Sequence, residues 1–441
     1  MQVYVETYGC QMNEYDSELV RSILRQNQFE LVDGPEQADA VLLNTCAIRE
    51  NAHQKIYGRV GVLAGMRVQN PRLLIGILGC MAQNLKDDLL QPRTGIDLVA
   101  GPDSYKKLPS LLREVWDTGI KAKEIDLSEF ETYSDVYPER VPGVNAWIAC
   151  MRGCDNFCSF CVVPYTRGRE RSRTPASIVE ETRQLAAQGH KQVTLLGQNV
   201  NSYESGGADF AALLLQVAAV DGIQRVRFTS PHPKDFPRQL LHAIASHPKL
   251  CKQIHLPLQS GNDRILEMMR RTYTQREFLD LVAEIRATIP GVCLSTDVIC
   301  GFPTETEAEF ADTVRVMEAV EFDSAFLFKY SERKNTIAQR KYADDVPEAA
   351  KTARIVRLNE LQKAASLRRN RSYAGRTLEV LIEGPSRKSP DDVLGRDDGN
   401  HGVVLPRGNL QPGDCVPVEI LGVSAHTLLG RAVPASAGAP R

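Results

Sequence analysis

Met151-Arg-Gly-Cys-Asp-Asn-Phe-Cys-Ser-Phe-Cys-Val-Val-Pro164 carries Cys154, Cys158 and Cys161 in a Cys-x3-Cys-x2-Cys spacing, with an aromatic residue directly before the third cysteine. Three thiolates on one short loop can hold three irons of a cubane 4Fe–4S cluster, leaving the fourth iron open to a chelating small molecule. The rival is zinc, because Cys158-x2-Cys161 alone is also half a zinc site or a redox pair. Structural zinc wants four ligands; no histidine lies between His53 and His190, so Cys150 would have to complete the set. Cys150 reads better as the end of the preceding strand, facing its core as a small apolar residue.

The triplet follows an apolar run at 146–149, the first of six strand-like runs. The others lie at 193–198, 226–230, 254–259, 294–299 and 326–331, with helical periods such as 177–188 and 275–288 between them. Six βα repeats predict a partial barrel, with the site built from loops after the strands. Upstream, strand-like runs at 2–7, 40–45, 73–78 and 98–100 alternate with helical periods around 16–28, 50–67, 83–90 and 105–117. That order predicts an open parallel α/β sheet. Cys10, Cys46 and Cys80 fall immediately after three of its strands. The ligand crevice of such a sheet lies outside the carboxyl ends of its strands. The three cysteines therefore read as a second three-thiolate cluster, with buried core cysteines as the alternative.

Residues 128–142 are polar and contain proline, which suits a linker. A helix over 347–371 gives way to short strands at 377–382, 393–396, 402–405, 415–423 and 427–432, the spacing of a small all-β barrel, expected to be antiparallel. The tail 435–441 reads as frayed. The expected domains are 1–120, 138–368 and 370–435.

With 441 residues, 43% of them hydrophobic, the chain suits two or three domains with full cores. It contains no 18-residue apolar run, and its start reads as a strand rather than a signal peptide, so no membrane is expected. Eleven cysteines without an export signal point to the reducing cytoplasm. A net charge of -2 means that nucleic acid must be held by local basic patches. Arg167-Gly-Arg-Glu-Arg-Ser-Arg173, if extended, puts Arg167, Arg169, Arg171 and Arg173 on one side. Guanidiniums suit phosphate and stacked bases, and an ordinary solvated face is the bland reading. Lys351, Arg354, Arg357, Lys363, Arg368, Arg369 and Arg371 against only Glu360 make a second stripe. Between 370 and 441 basic and acidic residues balance at eight each, so charge alone does not make that barrel an RNA binder.

Along nearly its whole length the chain resembles the methylthiotransferases of the radical-SAM superfamily, and among them the MiaB-type branch that modifies tRNA. The resemblance rests on the order of a three-cysteine domain, a radical-SAM barrel and a C-terminal TRAM barrel. It rests also on the stretch from Cys154 to Arg173 and on Leu195-Leu-Gly-Gln-Asn-Val-Asn-Ser-Tyr203. Phe228-Thr-Ser-Pro-His-Pro233, His255-Leu-Pro-Leu-Gln-Ser-Gly261 and Asp297-Val-Ile-Cys-Gly-Phe-Pro-Thr-Glu305 extend it.

What the resemblance implies is specific. Carbon 2 of N6-isopentenyladenosine, adjacent to the anticodon, would be methylthiolated with two molecules of S-adenosylmethionine (SAM) and cluster-borne sulfur. Cys154, Cys158 and Cys161 would hold the SAM-cleaving 4Fe–4S cluster, and Cys10, Cys46 and Cys80 an auxiliary one. Phe160 would pack beside the SAM adenine or serve as a core aromatic. Gly197, Gln198 and Asn199 would meet the methionine end of SAM or form a plain loop. Ser230, Gln259 and Ser260 would contact its ribose or carboxylate, and Asp297 would do likewise or bond a turn. The implied partners are a tRNA anticodon stem-loop, an electron donor such as flavodoxin or ferredoxin, and a sulfur or iron–sulfur carrier. One departure stands out: Ser331-Glu-Arg-Lys-Asn-Thr336 replaces the Arg-Pro-Gly-Thr often found after the last barrel strand. Rival branches act on threonylcarbamoyl-adenosine or on a ribosomal-protein aspartate; Pro164-Tyr-Thr-Arg-Gly and Gly197-Gln-Asn-Val-Asn-Ser-Tyr favour the isopentenyl branch. A noncatalytic iron–sulfur RNA-binding or sensor protein would bind cluster and RNA without cleaving SAM.

Overall fold

The computed structural model describes residues 1–47 and 50–434, without the side chains of 50–53 and 235; the tail expected at 435–441 lies outside the described residues. Strands β1 (Gln2–Tyr8), β2 (Glu30–Leu31), β3 (Ala40–Thr45), β4 (Leu74–Gly79), β5 (Leu98–Ala100) and β6 (Ala122–Glu124) form one sheet in the order β2-β1-β3-β4-β5-β6. Every pair is parallel. β3 is buried throughout, as a parallel strand covered on both faces must be. The order reverses between β1 and β3, which opens a crevice at their carboxyl ends. β2 and β6 escaped the sequence reading because two or three residues show no period. Helix α1 (Gln11–Gln26) buries Met12, Tyr15, Leu19 and Ile23 against the sheet. It starts earlier than the expected residue 16, since its first turn is mostly polar.

The stretch expected to be a linker is packed. Tyr133 is fully buried and its hydroxyl donates to Pro102 O at 2.9 Å. Arg140 forms ion pairs with Glu18 of α1 and with Glu181 of the second unit. Residues 128–142 therefore strap the two units together.

In the second unit Asn145–Ala149, Gln192–Leu196 and Arg225–Phe228 form one parallel sheet, and Gln253–His255, Cys293–Cys300 and Ser324–Lys329 another. A bridge between Val226 and Leu250 joins them, so six strands run in chain order as a partial barrel. The fourth strand stops at His255 rather than the expected 259. Pro257 has no N–H for the ladder, and Gln259 turns to φ 65°. Helices Pro175–Ala187 and Gln275–Thr288 cover the outside, capped by Thr174 and Thr274.

After the helix Glu348–Arg371, five strands close a small barrel around Val380, Ile382, Val403, Leu405, Val418 and Ile420. It is not wholly antiparallel, as Gly402–Pro406 and Leu428–Ala432 pair in parallel. This barrel caps the amino ends of the larger one. Arg225 donates to Glu379 O at 2.8 Å, Arg227 to Asp397 O at 2.6 Å, and Asn145 to the Glu383 carboxylate at 2.8 Å. The stripe on the long helix is largely internal glue: Lys351 pairs with Asp344, Arg354 with Glu305, Arg368 with Glu321 and Arg369 with Asp323. Among the described residues no helix is long and apolar enough to cross a membrane.

Candidate metal centre

Cys10, Cys46 and Cys80 meet because glycine lets the strand ends touch. Gly9 sits at φ 146°, where a Cβ would lie 2.7 Å from Cys46 Cβ. Gly79 sits at φ 85°, where a Cβ would lie 2.7 Å from Thr45 O. Cys10 caps α1, and Cys80 is the first residue of helix Cys80–Leu85. A hydrogen bond from Cys46 draws the Cys10 thiol below its usual range against the effect of burial. Burial pushes the Cys80 thiol up, with the nearby Arg167 guanidinium opposing.

Cys154, Cys158 and Cys161 follow the first barrel strand. Cys158 Sγ accepts from Arg271 Nη1 at 3.3 Å and Cys161 Sγ from the Val163 N–H at 3.4 Å. Burial pushes the Cys154 and Cys161 thiols up to about 12. All six cysteines line a single cavity of about 300 Å³ between the two units. Cys150 does not join them: it is fully buried in the barrel core, with Sγ 3.2 Å from Leu196 O. The fourth ligand that structural zinc needs is therefore turned away, and six soft thiol donors suit iron–sulfur clusters.

Phe160, Gly197, Gln198, Ser230, Gln259, His255 and Asp297 also line the cavity. Phe160 lines the cavity and at the same time packs against the core cluster that contains Ile265 and Met269. Gln198 accepts from the Gly153 N–H at 2.7 Å and so tethers the cysteine loop. Ser230 and Gln259 hold φ 60° and 65°, backbone strain of the kind that gathers at ligand sites. Gln259 Oε1 is buried in the cavity wall without a hydrogen-bond partner, so a polar group stands ready for a bound molecule. Asp297 lies 3.3 Å from His255 Nε2 and is no turn-bonding residue. Two expected residues stand back from the cavity. Asn199 donates to Glu170 at 3.2 Å, and the fully buried Ser260 accepts from the Asn262 N–H at 3.3 Å. Arg271 went unnoticed in the sequence, where nothing marks an arginine as facing a thiolate.

The arginine run needs correction. Residues 167–173 are not one extended strand, because Val163–Arg167 is helical. Arg167 and Arg152 grip the two oxygens of Asp16 at 2.7 and 2.5 Å. Arg171 pairs with Asp103 at 2.7 Å and Arg173 with Glu181 at 2.6 Å. These three side chains are buried in the contact between the units; only Arg169 of the four reaches solvent, 68% exposed. The segment 331–336 is part of the same contact. Arg333 donates to Ala47 O at 2.9 Å and Asn335 to Asn84 O at 3.1 Å, beside Cys46 and the Cys80 helix.

Residues 2–101 match the uncharacterized protein family UPF0004, 148–317 the Radical SAM superfamily and 371–433 the TRAM domain. A tRNA-2-methylthio-N(6)-dimethylallyladenosine synthase of Chloroherpeton thalassium is 47% identical over 433 residues, covering 98% of this chain and 96% of that one. A protein of the same name from Amoebophilus asiaticus is 46% identical, covering 97% and 92%. The solved radical S-adenosylmethionine methyltransferase TsrM from Kitasatospora setae, with cobalamin and a 4Fe-4S cluster bound, covers 77% of each chain at a TM-score of 0.57 and 15% identity, a likeness of fold alone. Identity of this order over nearly the full length shows that the chain belongs to the family of tRNA-2-methylthio-N(6)-dimethylallyladenosine synthases, within the radical-SAM enzymes.

Proposed function

We propose that this enzyme methylthiolates carbon 2 of N6-isopentenyladenosine (the dimethylallyl nucleoside of its relatives' name) next to the anticodon of tRNA. The observation that carries the reading is the meeting of two cysteine triplets, from two units, around one cavity. Cys154, Cys158 and Cys161 would hold the cluster on which SAM binds, and Cys10, Cys46 and Cys80 a second cluster. When bound, these groups supply one-electron SAM cleavage and a sulfur source, chemistry that can reach a C–H bond that is neither acidic nor hydridic. The chain supplies the rest. Arg271 places a cation on the Cys158 sulfur, and a charge-assisted hydrogen bond of this kind steadies a thiolate ligand. Gln198 fixes the cysteine loop, while Gln259 and Ser230 offer polar groups to SAM. Burial of Cys46, Cys80, Cys154 and Cys158 limits the access of bulk water to the reacting atoms. An electron donor such as flavodoxin or ferredoxin and a sulfur or iron–sulfur carrier complete the partners, in a cytoplasm that keeps the thiols reduced.

The test is an anaerobic assay of the reconstituted enzyme on three substrates: an anticodon stem-loop with N6-isopentenyladenosine, the same RNA with plain adenosine, and a ribosomal-protein peptide. Product is expected from the prenylated RNA and little or none from the others. Equal rates on both RNAs, or product only from the peptide, would overturn the assignment to this branch. Cluster and RNA binding without SAM cleavage would instead favour a sensor.

A further inference from the structure

The cysteine loop has an outer side as well as the one that faces the cavity. Asn156, Phe160 and Val163 line the cavity, whereas Phe157 and Tyr165 do not. Phe157 is held at φ 46°, a left-handed backbone that costs energy for a residue with a side chain. Its ring meets that of Tyr165 edge-on, with centroids 6.0 Å apart, and both residues are half-buried. Arg340 extends the row: its guanidinium stands 5.6 Å from the Tyr165 ring centre and donates to the hydroxyl at 3.2 Å.

Ser159, between Cys158 and Cys161, ties this side of the loop to two further segments. Its N–H donates to Met269 O at 3.0 Å and its hydroxyl to Met268 O at 2.7 Å. Its carbonyl accepts from the Ala338 N–H at 2.7 Å. Helices Asp263–Met268 and Ile337–Lys341 are thereby fixed to the cysteine loop. Both end in exposed cations, Arg270 just past the first, and Arg340 and Lys341 within the second. Their neighbours Arg264 and Lys334 are answered by Glu309 and Asp88. Arg270, Arg340 and Lys341 form no ion pair among the described residues, and Glu267, one turn before Arg270, offsets only part of their charge. In a chain of net charge -2, such a local excess of cations attracts an anionic partner.

Position separates the possible partners. A substrate base has to enter the cavity, and these residues lie outside it. A one-electron donor needs only to come close to the cluster from outside, and the loop that carries the triplet is itself part of this surface. Resting on the function proposed above, we infer that Phe157, Tyr165, Arg270, Arg340 and Lys341 form the docking face for an acidic one-electron carrier protein. The carrier is oxidised by one electron and the cluster on Cys154, Cys158 and Cys161 is reduced by one, with no bond made or broken. The cations steer the encounter and make it salt-dependent, while the paired rings supply an apolar centre to the contact.

The experiment measures the affinity of a reduced, acidic flavodoxin for the full cluster-loaded chain, without oxygen and over a range of salt. Beside it, SAM cleavage is driven either by that flavodoxin or by dithionite, which is small and needs no docking face. Arg270→Glu with Arg340→Glu and Lys341→Glu should weaken flavodoxin binding by about tenfold or more at low salt. The same variant should flatten the salt dependence and slow flavodoxin-driven cleavage, with dithionite-driven cleavage and tRNA affinity as in the wild type. Arg270→Lys with Arg340→Lys keeps the charge and should keep most of the binding. Unchanged flavodoxin affinity in the glutamate variant, or an equal loss of cleavage with both reductants, would overturn the docking face. So would a loss of tRNA affinity without a loss of flavodoxin affinity, which would assign the cations to RNA. Wild-type protein that binds flavodoxin but cleaves no SAM with either reductant would count instead against the function proposed above.

Discussion

One carboxylate, Asp16, holds two guanidiniums from the neighbouring unit, and all three side chains are buried. Burial alone would raise the Asp16 pKa, but Arg152 and Arg167 outweigh it and hold the carboxyl below its usual range. A group with a depressed folded pKa contributes stability above its unfolded value and loses it as pH falls through the folded one. Removing one partner from such a group strands the others, so Asp16→Asn should cost about 3–5 kcal/mol in denaturant unfolding. The same geometry reassigns the arginine run. Arg169→Gln should flatten the salt dependence of tRNA affinity by up to about one phosphate contact. Arg171→Gln and Arg173→Gln should lower the melting temperature and leave the salt slope alone. A slope that fell equally for all three would return the run to RNA.

Where the small barrel meets the large one, His401 turns Nδ1 to Asp397 at 2.9 Å and Nε2 toward Cys293 Sγ at 3.9 Å, against the Tyr373 ring. Asp323 lies near enough to suggest an ion site, yet Arg369 and the Leu294 N–H already occupy its oxygens. The cluster is an interface. Burial opposes charging His401, but the bond with Asp397 and the contact with Cys293 win, raising it to about 10. Its contribution is therefore fully present below the ordinary histidine range, and is lost as pH rises through about 10. Thermal melting across that range should show stability falling with pH, and His401→Gln should flatten that part of the fall. None of this contact was legible in the sequence. The cysteines were, because a strand's period and the residue after it are local facts. Alternation in the arginine run gave sides without saying which side met solvent, and the partner Asp16 lies 151 residues from Arg167.

At the scale of the whole molecule, two units enclose one cavity from different directions: the parallel sheet brings its switch-point crevice and the partial barrel its carboxyl-end loops, while the small barrel packs on the opposite, amino end of the partial barrel. The contact between the first two is braced by buried ion pairs and by the 331–336 segment on the loops beside Cys46 and Cys80. The backbone that places each cysteine set belongs to its own unit, Gly9 and Gly79 shaping one and the loop tethered by Gln198 the other, although Arg167 reaches Cys80 from across the contact. The sets should therefore fill independently. Anaerobically reconstituted protein is expected to carry about eight irons, four for each 4Fe–4S cluster. Replacing Cys154, Cys158 and Cys161 with alanine should halve the iron and abolish SAM cleavage. Replacing Cys10, Cys46 and Cys80 should also halve the iron, stop methylthiolation and leave SAM cleavage in place. Iron analysis, Mössbauer spectra and 5′-deoxyadenosine yield read these outcomes separately. If the second variant stayed folded but lost all its iron and its SAM cleavage, the six thiols would be serving one shared centre, and the two-cluster assignment would fall.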